Sequence, residues 1–237
     1  MSSPEPSIWT RPALAPRRRS LSREAIVRAA IEVADAGGAE ALTMQAVAQA
    51  LGAFTPMSLY RYVYSKDGLL DLMLDAVLGE VGVPSRPGDD WRAAVYALEL
   101  DTWAALKRHP WYARLVHTRP PLGPNALRRT EWLLGVFRGL GADLGTAMGY
   151  VSLIERLVIG LAVQVAEEAR AQPDVDFSAP GGAAAALAPL RLLTSATDAY
   201  PNLANWAAAP SGPSPDAQLE LGLNMVLDGI AARHPSA

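Results

Sequence analysis

Thr55-Pro56-Met57-Ser58-Leu59-Tyr60-Arg61-Tyr62 gathers two hydroxyls, two phenols, a guanidinium and a thioether into one short segment. These groups suit hydrogen bonding and surface contact better than bond breaking. Thr43 precedes the segment, Lys66 follows it, and Arg17-Arg18-Arg19 lies further upstream. A helix N-terminus directs free backbone N–H groups outward, so hydroxyls at Thr43 and Thr55 would join them in holding phosphate. Tyr60, Arg61, Tyr62 and Lys66 are long donors for the same task. Pro56, Met57 and Ser58 are small or flexible enough to meet base edges and thymine methyls. The arginine triplet would follow a groove or the phosphates beside it.

Catalytic chemistry finds less support. The chain has no cysteine, hence no thiolate nucleophile, disulfide or Cys-based zinc site. It lacks a Gly-x-Ser-x-Gly elbow, a phosphate-cradling glycine loop and a His-Glu-x-x-His pair. Glu155-Arg156 and Glu167-Glu168 read as charged edges of a long helix. His109 and His117 match no metal-ligand spacing, and His109 in Arg-His-Pro-Trp reads as a helix end. No enzyme activity, metal or cofactor is expected. An apolar pocket for a small molecule is expected among the middle helices, with Trp103, His109, Trp111, Trp132, Phe137 and Tyr150 as candidate walls.

The elements that must position these residues are all helical. Ser22 caps a first helix with an inward stripe of Ile26, Ala29, Ala30, Val33 and Ala34, stopped by Gly37-Gly38. Thr43 caps a second helix that Gly52 ends. A turn at Gly52-Ala53-Phe54 leads to a third, with Thr55 as cap and Pro56 at its first position; only Leu59 and Val63 can face inward. Ser65 caps a fourth that runs to Val81. Further helices are predicted at about 91–108, 111–116, 125–140, 143–171, 183–199 and 216–233, with loops at 173–182 and 201–215. No alternating segment is long enough for a strand, so the fold class is all-α.

The 237 residues carry a net charge of -3, which excludes a generally sticky nucleic-acid binder. The charge is uneven, however. Arginines 11, 17, 18, 19, 23 and 28 face Glu24 alone, so DNA would be held by one end. Residues 1–21 read as a flexible basic arm, 22–82 as a helix-turn-helix domain, and 83–237 as a larger helical ligand-binding and dimerisation domain. No signal peptide is apparent, and no apolar run reaches the ~20 residues of a membrane helix. A cytoplasmic setting is expected. The long helix at 143–171 has two apolar stripes, one for its own core and one for a second subunit. The helix at 216–233 is the other candidate for that interface.

Residues 22–78 resemble the DNA-binding domain of the TetR family of bacterial regulators. The resemblance rests on Ala46-Val47-Ala48-Gln49-Ala50-Leu51-Gly52, Ser58-Leu59-Tyr60-Arg61-Tyr62-Val63 and Ser65-Lys66-Asp67-Gly68-Leu69-Leu70. Trp91, Arg108-His109-Pro110-Trp111 and the closing Leu221–Ile230 run are similar to the tetracycline-repressor-like ligand domain. The resemblance implies a homodimeric regulator, usually a repressor, released from a palindromic operator by a small molecule. It makes Thr55–Tyr62 the recognition helix, Thr43 a phosphate contact, and Tyr60, Tyr62 and Lys66 backbone contacts. The spacing from Gly52 to Tyr60 is one residue longer than the family usually has, leaving the base-reading register over 54–58 open. Gly68 stands where the family often has a capping-box glutamate, which predicts a less firmly started fourth helix. A helical protein-interaction module, or a regulator without an inducer, is the competing reading.

Overall fold

The computed structural model describes residues 7–10, 21–52, 54–116, 119–171, 187–208 and 213–235. Among them every regular element is helical. The N-terminal part comprises α1 (Arg23–Ala41), α2 (Met44–Ala50), α3 (Pro56–Val63) and α4 (Lys66–Gly79). Each begins at a hydroxyl cap: Ser22, Thr43, Thr55 and Ser65 accept from the backbone N–H three residues on. Gly38 breaks α1 with φ +75°, where the sequence places its stop, and one further turn carries it to Ala41. The buried stripes of Ile26 and Ala30, Val47, Leu59 and Val63, and Leu69 and Met73 meet in one core.

The joint between α3 and α4 is tighter than a loop. Tyr64 has φ +63° and ψ −39°, and the Ser65 N–H donates to the Val63 carbonyl at 2.7 Å. This is a γ-turn, a strained three-residue reversal. A Cβ on Gly68 would lie 2.4 Å from that same carbonyl. Gly68 is therefore what lets the first turn of α4 close onto the γ-turn, and the Ser65 hydroxyl accepts its N–H at 2.9 Å. Close approach to the γ-turn accounts for a glycine at this position in place of a capping-box glutamate.

The second part holds α5 (Trp91–Arg108), α6 (Trp111–Val116), α7 (Pro124–Gly139), α8 (Leu144–Ala171), α9 (Ala188–Ser195), α10 (Pro201–Ala208) and α11 (Pro215–Arg233). α8 is the central element and packs against α5, α6, α7 and α11. Its Val151, Ile154, Val158 and Ala162 are buried, as the first of its two predicted stripes requires. α4 touches α1 and α3 on one side and α5, α6 and α7 on the other, so one helix is shared by both halves.

Two sequence expectations change. The arm was expected to be loose through its first twenty residues, yet Ile8–Thr10 forms a 3₁₀ turn against α4, with Ile8 buried near Gly68. The loop expected at 201–215 contains α10. Pro201 opens that helix, where a missing N–H costs nothing, and α10 packs on α9. Arg17, Arg18, Arg19, Ala53, His117 and the loop at 173–182 lie outside the described residues.

Candidate nucleic-acid interface and ligand cavity

α3 is pinned from behind and free in front. Leu59 and Val63 are fully buried, while Met57 is 75 % exposed and Arg61 and Thr55 are also exposed. Ser58 donates its hydroxyl to the Thr55 carbonyl at 2.6 Å, which tightens the first turn. Pro56 and Ser58 are half-buried beside it. Thr43 stands exposed at the head of α2, and Lys66 is exposed at the head of α4. Tyr60 and Tyr62 are half-buried and pack on the core, so each ring is partly structural. Arg23 fixes the end of α3 from α1, its Nε–H donating to the Tyr62 carbonyl at 3.2 Å. Gly52, with φ +90°, makes the turn that separates α2 from α3.

A polar seam joins the N-terminal part to the larger part. His109 caps the end of α5 and is buried, with Nδ1 2.8 Å from Asp35 Oδ1 on α1 and Nε2 3.1 Å from Glu80 Oε1 just beyond α4. Trp111 Nε1–H donates to the same Asp35 oxygen at 2.6 Å, and Arg108 pairs with Glu80 at 2.7 Å. Arg114 on α6 bridges Glu40 of α1 and Glu167 of α8. Arg119 holds Asp67 and Asp71 of α4, each at 2.9 Å.

Asp75 ties α4 to α7. Its Oδ1 accepts the Asn125 and Ala126 N–H groups at 2.9 and 3.0 Å, capping α7 from another helix. Asn125 Nδ2 donates to the Asp75 Oδ2 and backbone carbonyl, both at 3.0 Å. A Cβ on Gly123 would meet the Asp75 carboxyl at 2.2 Å, so glycine is needed to let the cap in. Burial raises the Asp75 carboxyl above the ordinary range, and its hydrogen bonds from Ala126 and Asn125 oppose that.

A cavity of about 60 Å³ lies between α4 and the larger part, lined by Leu78, Thr102, Leu106, Tyr112, Pro121, Arg129, Glu155, Val158 and Ile159. Glu155 and Ile159 also line an outer recess of about 300 Å³ with Val116, Ser152, Arg156 and Gly160. Burial raises both the Tyr112 phenol, which lines the cavity, and the Glu99 carboxyl paired with Arg129. The six predicted pocket residues do not converge there. Trp103 lines a neighbouring groove and donates Nε1–H to Asp216 at 2.6 Å. His109 and Trp111 belong to the seam. Phe137 and Tyr150 stack edge to face at 5.5 Å, with the Tyr150 hydroxyl 3.2 Å from His234 Nε2. Trp132 is half-buried, and its Nε1–H has no partner.

Asp75, Asp35, Glu80, Glu99 and Arg129 were missed by sequence reasoning. Each is a charged residue whose partner lies far along the chain. The one available signal was position: Asp75 and Arg129 interrupt otherwise inward-facing stripes.

The family described as bacterial regulatory proteins, tetR family, matches residues 26–73, and the tetracyclin repressor-like C-terminal domain matches 83–234. The chain is 36% identical over 226 residues to the HTH-type transcriptional repressor DrrR1 of Streptomyces coeruleorubidus, covering 93% of this chain and 80% of DrrR1. Apo ActR from Streptomyces coelicolor superposes with a TM-score of 0.75 at 29% identity, over 94% of this chain and 99% of that one. ActR in complex with actinorhodin gives 0.75 and 29%, over 91% and 99%. The chain belongs to the TetR family of bacterial regulatory proteins.

Proposed function

We propose that the protein binds a palindromic operator as a homodimer, with two copies of α3 in adjacent major grooves about 34 Å apart. The observation that carries this reading is the two-sidedness of α3: Leu59 and Val63 anchor it while Met57 and Arg61 project. Thr43, Thr55, Tyr60, Arg61, Tyr62 and Lys66 hold the phosphates and set the register. Pro56, Met57 and Ser58 read bases, and Arg17, Arg18 and Arg19 add cationic reach. For the second copy, α8 and α11 leave Leu144, Met148, Leu153, Leu221 and Met225 exposed. By length and mean composition α8 could cross a membrane, although Glu155 and Arg156 interrupt its apolar run, and only 28% of its most apolar window is buried within the chain. A partner helix pair covering that face gives the apolar surface its burial.

The small molecule occupies the space between α4, α5, α6, α7 and α8 where the inner cavity and the outer recess share Glu155 and Ile159. Actinorhodin-bound ActR supports a ligand in this fold. Occupancy shifts α4 through Leu78 and changes the separation of the two reading heads. Retention on genomic DNA fragments tests the DNA assignment. Tyr60→Phe removes the hydroxyl but keeps the ring in the core, and with Lys66→Ala it should weaken all sequences alike. Lys66→Ala, which removes a charge, should also lower the salt slope by about 0.9, whereas Tyr60→Phe should leave the slope unchanged. Substitutions at Met57 or Ser58 should change which fragments are retained. Binding that ignores salt and both sets of variants points to a protein partner instead and sinks the DNA reading.

A further inference from the structure

A second concave surface lies between α1 and α4. It is a groove of about 520 Å³ that shares no lining residue with the inner cavity or the outer recess. Val27, Ile31, Leu72 and Ala76 make its apolar floor, with Val27 and Leu72 buried. The half-buried Trp9 of the 3₁₀ turn and Asn125 of α7 also line it. Its volume lies within the range of about 300–1,000 Å³ typical of small-molecule sites. Two guanidiniums, Arg23 and Arg28, are set among four carboxylates, Glu24, Glu32, Asp75 and Glu80. Three of these charges are engaged elsewhere: Arg23 by the Tyr62 carbonyl, Asp75 by the first turn of α7, and Glu80 by His109 and Arg108. The other three are exposed on α1, where Glu24 and Glu32 stand one turn to either side of Arg28. The acid excess holds on both counts.

These facts rank ligands by chemistry. An anion would meet the acid excess and be repelled. A hydrocarbon would cover the floor but gain nothing from the rim. A cation on an apolar body gains from both, and the face of the Trp9 indole attracts positive charge as well. We infer that the groove is a second small-molecule site, taking an amphiphilic cation: a flat apolar body on the floor and one ammonium group held by Trp9 and the acidic rim. Such an occupant would touch α1, α4 and α7 together, beside the Asp75–Asn125 contact and Glu80. It would thereby hold the N-terminal part in one placement against the larger part, and so alter operator affinity without entering the inner cavity.

The probes are 1-naphthylmethyltrimethylammonium and 1-naphthylacetate, which carry the same ring with opposite charge. Titration of the full-length protein by calorimetry should favour the cation by about tenfold or more. Trp9→Ala should weaken the cation about fivefold, with Tm measured alongside to report folding. Glu24→Gln combined with Glu32→Gln changes only exposed side chains and should erase the preference for the cation. Equal or tighter binding of the anion by wild type, or no binding of the cation, overturns the inference. So does cation affinity that neither variant changes, which would put the cation elsewhere. Binding that appears only when Arg17, Arg18 and Arg19 are replaced by alanine would assign the groove to the arm and overturn it too. Operator affinity is measured with and without saturating cation. A change of at least threefold in wild type, absent in Trp9→Ala, is expected; unchanged affinity overturns the regulatory role and leaves the site.

Discussion

Gly68 and Asp75 have the largest predicted effects per atom changed. Gly68→Ala gains helix propensity of up to about 1 kcal/mol, but its methyl would press on a backbone carbonyl that cannot move without opening the γ-turn. The clash outweighs the propensity, and urea unfolding should show a net loss of about 1–3 kcal/mol. Unchanged or raised stability would mean the turn relaxes freely. Asp75→Ala removes the cap of α7 and leaves two N–H groups unpaired, at a cost of about 1–3 kcal/mol. Asp75→Asn keeps one acceptor and isolates the charge. Because burial raises the folded-state carboxyl above its reference value of 3.8, the folded state binds this proton more tightly than the unfolded chain. Stability of wild type relative to Asp75→Asn should therefore rise as pH falls from the folded-state value toward 3.8. Urea midpoints of both proteins from about pH 7 to about pH 4 check the sign. A relative loss of wild-type stability on acidification would contradict it.

At the scale of elements, what the sequence made readable was local: caps, periodic stripes and stops. Ser22, Thr43, Thr55 and Ser65 start their helices as side-chain hydroxyls near free N–H groups must, and Gly38 and Gly52 take the positive φ that their positions demand. The ligand site was not readable, because aromatic residues on different helices converge only through packing. Trp103 and Trp111 came to rest against acids on distant helices, Asp216 and Asp35. Those partners are more than a hundred and more than seventy positions away. α8 falls between the two cases. Its two stripes were visible in sequence, but part of the second is covered from within: a Cβ on Gly222 of α11 would lie 2.9 Å from Leu157. Leu153, further along that stripe, stays 48% exposed. Leu153→Glu should thus leave the monomer folded and place a charge in the proposed subunit interface. Sedimentation should then show monomers at concentrations where wild type is dimeric, with operator affinity lowered by at least tenfold. A dimer that persists with wild-type affinity would move the interface away from α8.

For the whole molecule, regulation requires that the cavity and the DNA-reading surface share a free energy. By linkage, a ligand that weakens operator binding by some factor is itself weakened by operator to the same factor. That coupling needs rigid contact between the halves, and the seam around His109 supplies it. Asp35 on α1 receives both the His109 ring and the Trp111 N–H, while Glu80 beyond α4 receives His109 and Arg108. None of these residues lines the central cavity or lies on the exposed face of α3. They act by joining the two. Asp35→Ala removes one common acceptor, leaving the Trp111 donor and one His109 nitrogen without their partner. The two halves should then move less in concert, although α4 still links them. The prediction is a coupling factor reduced several-fold, with operator affinity in the absence of ligand and ligand affinity in the absence of DNA each changed less than the coupling. Measuring the full cycle of ligand and operator binding in wild type and variant separates this from simple destabilisation, which would weaken both single-ligand steps together. Wild-type coupling in a folded Asp35→Ala protein would remove Asp35 from the mechanism and leave the coupling to α4 and the Glu80 and Arg114 bridges.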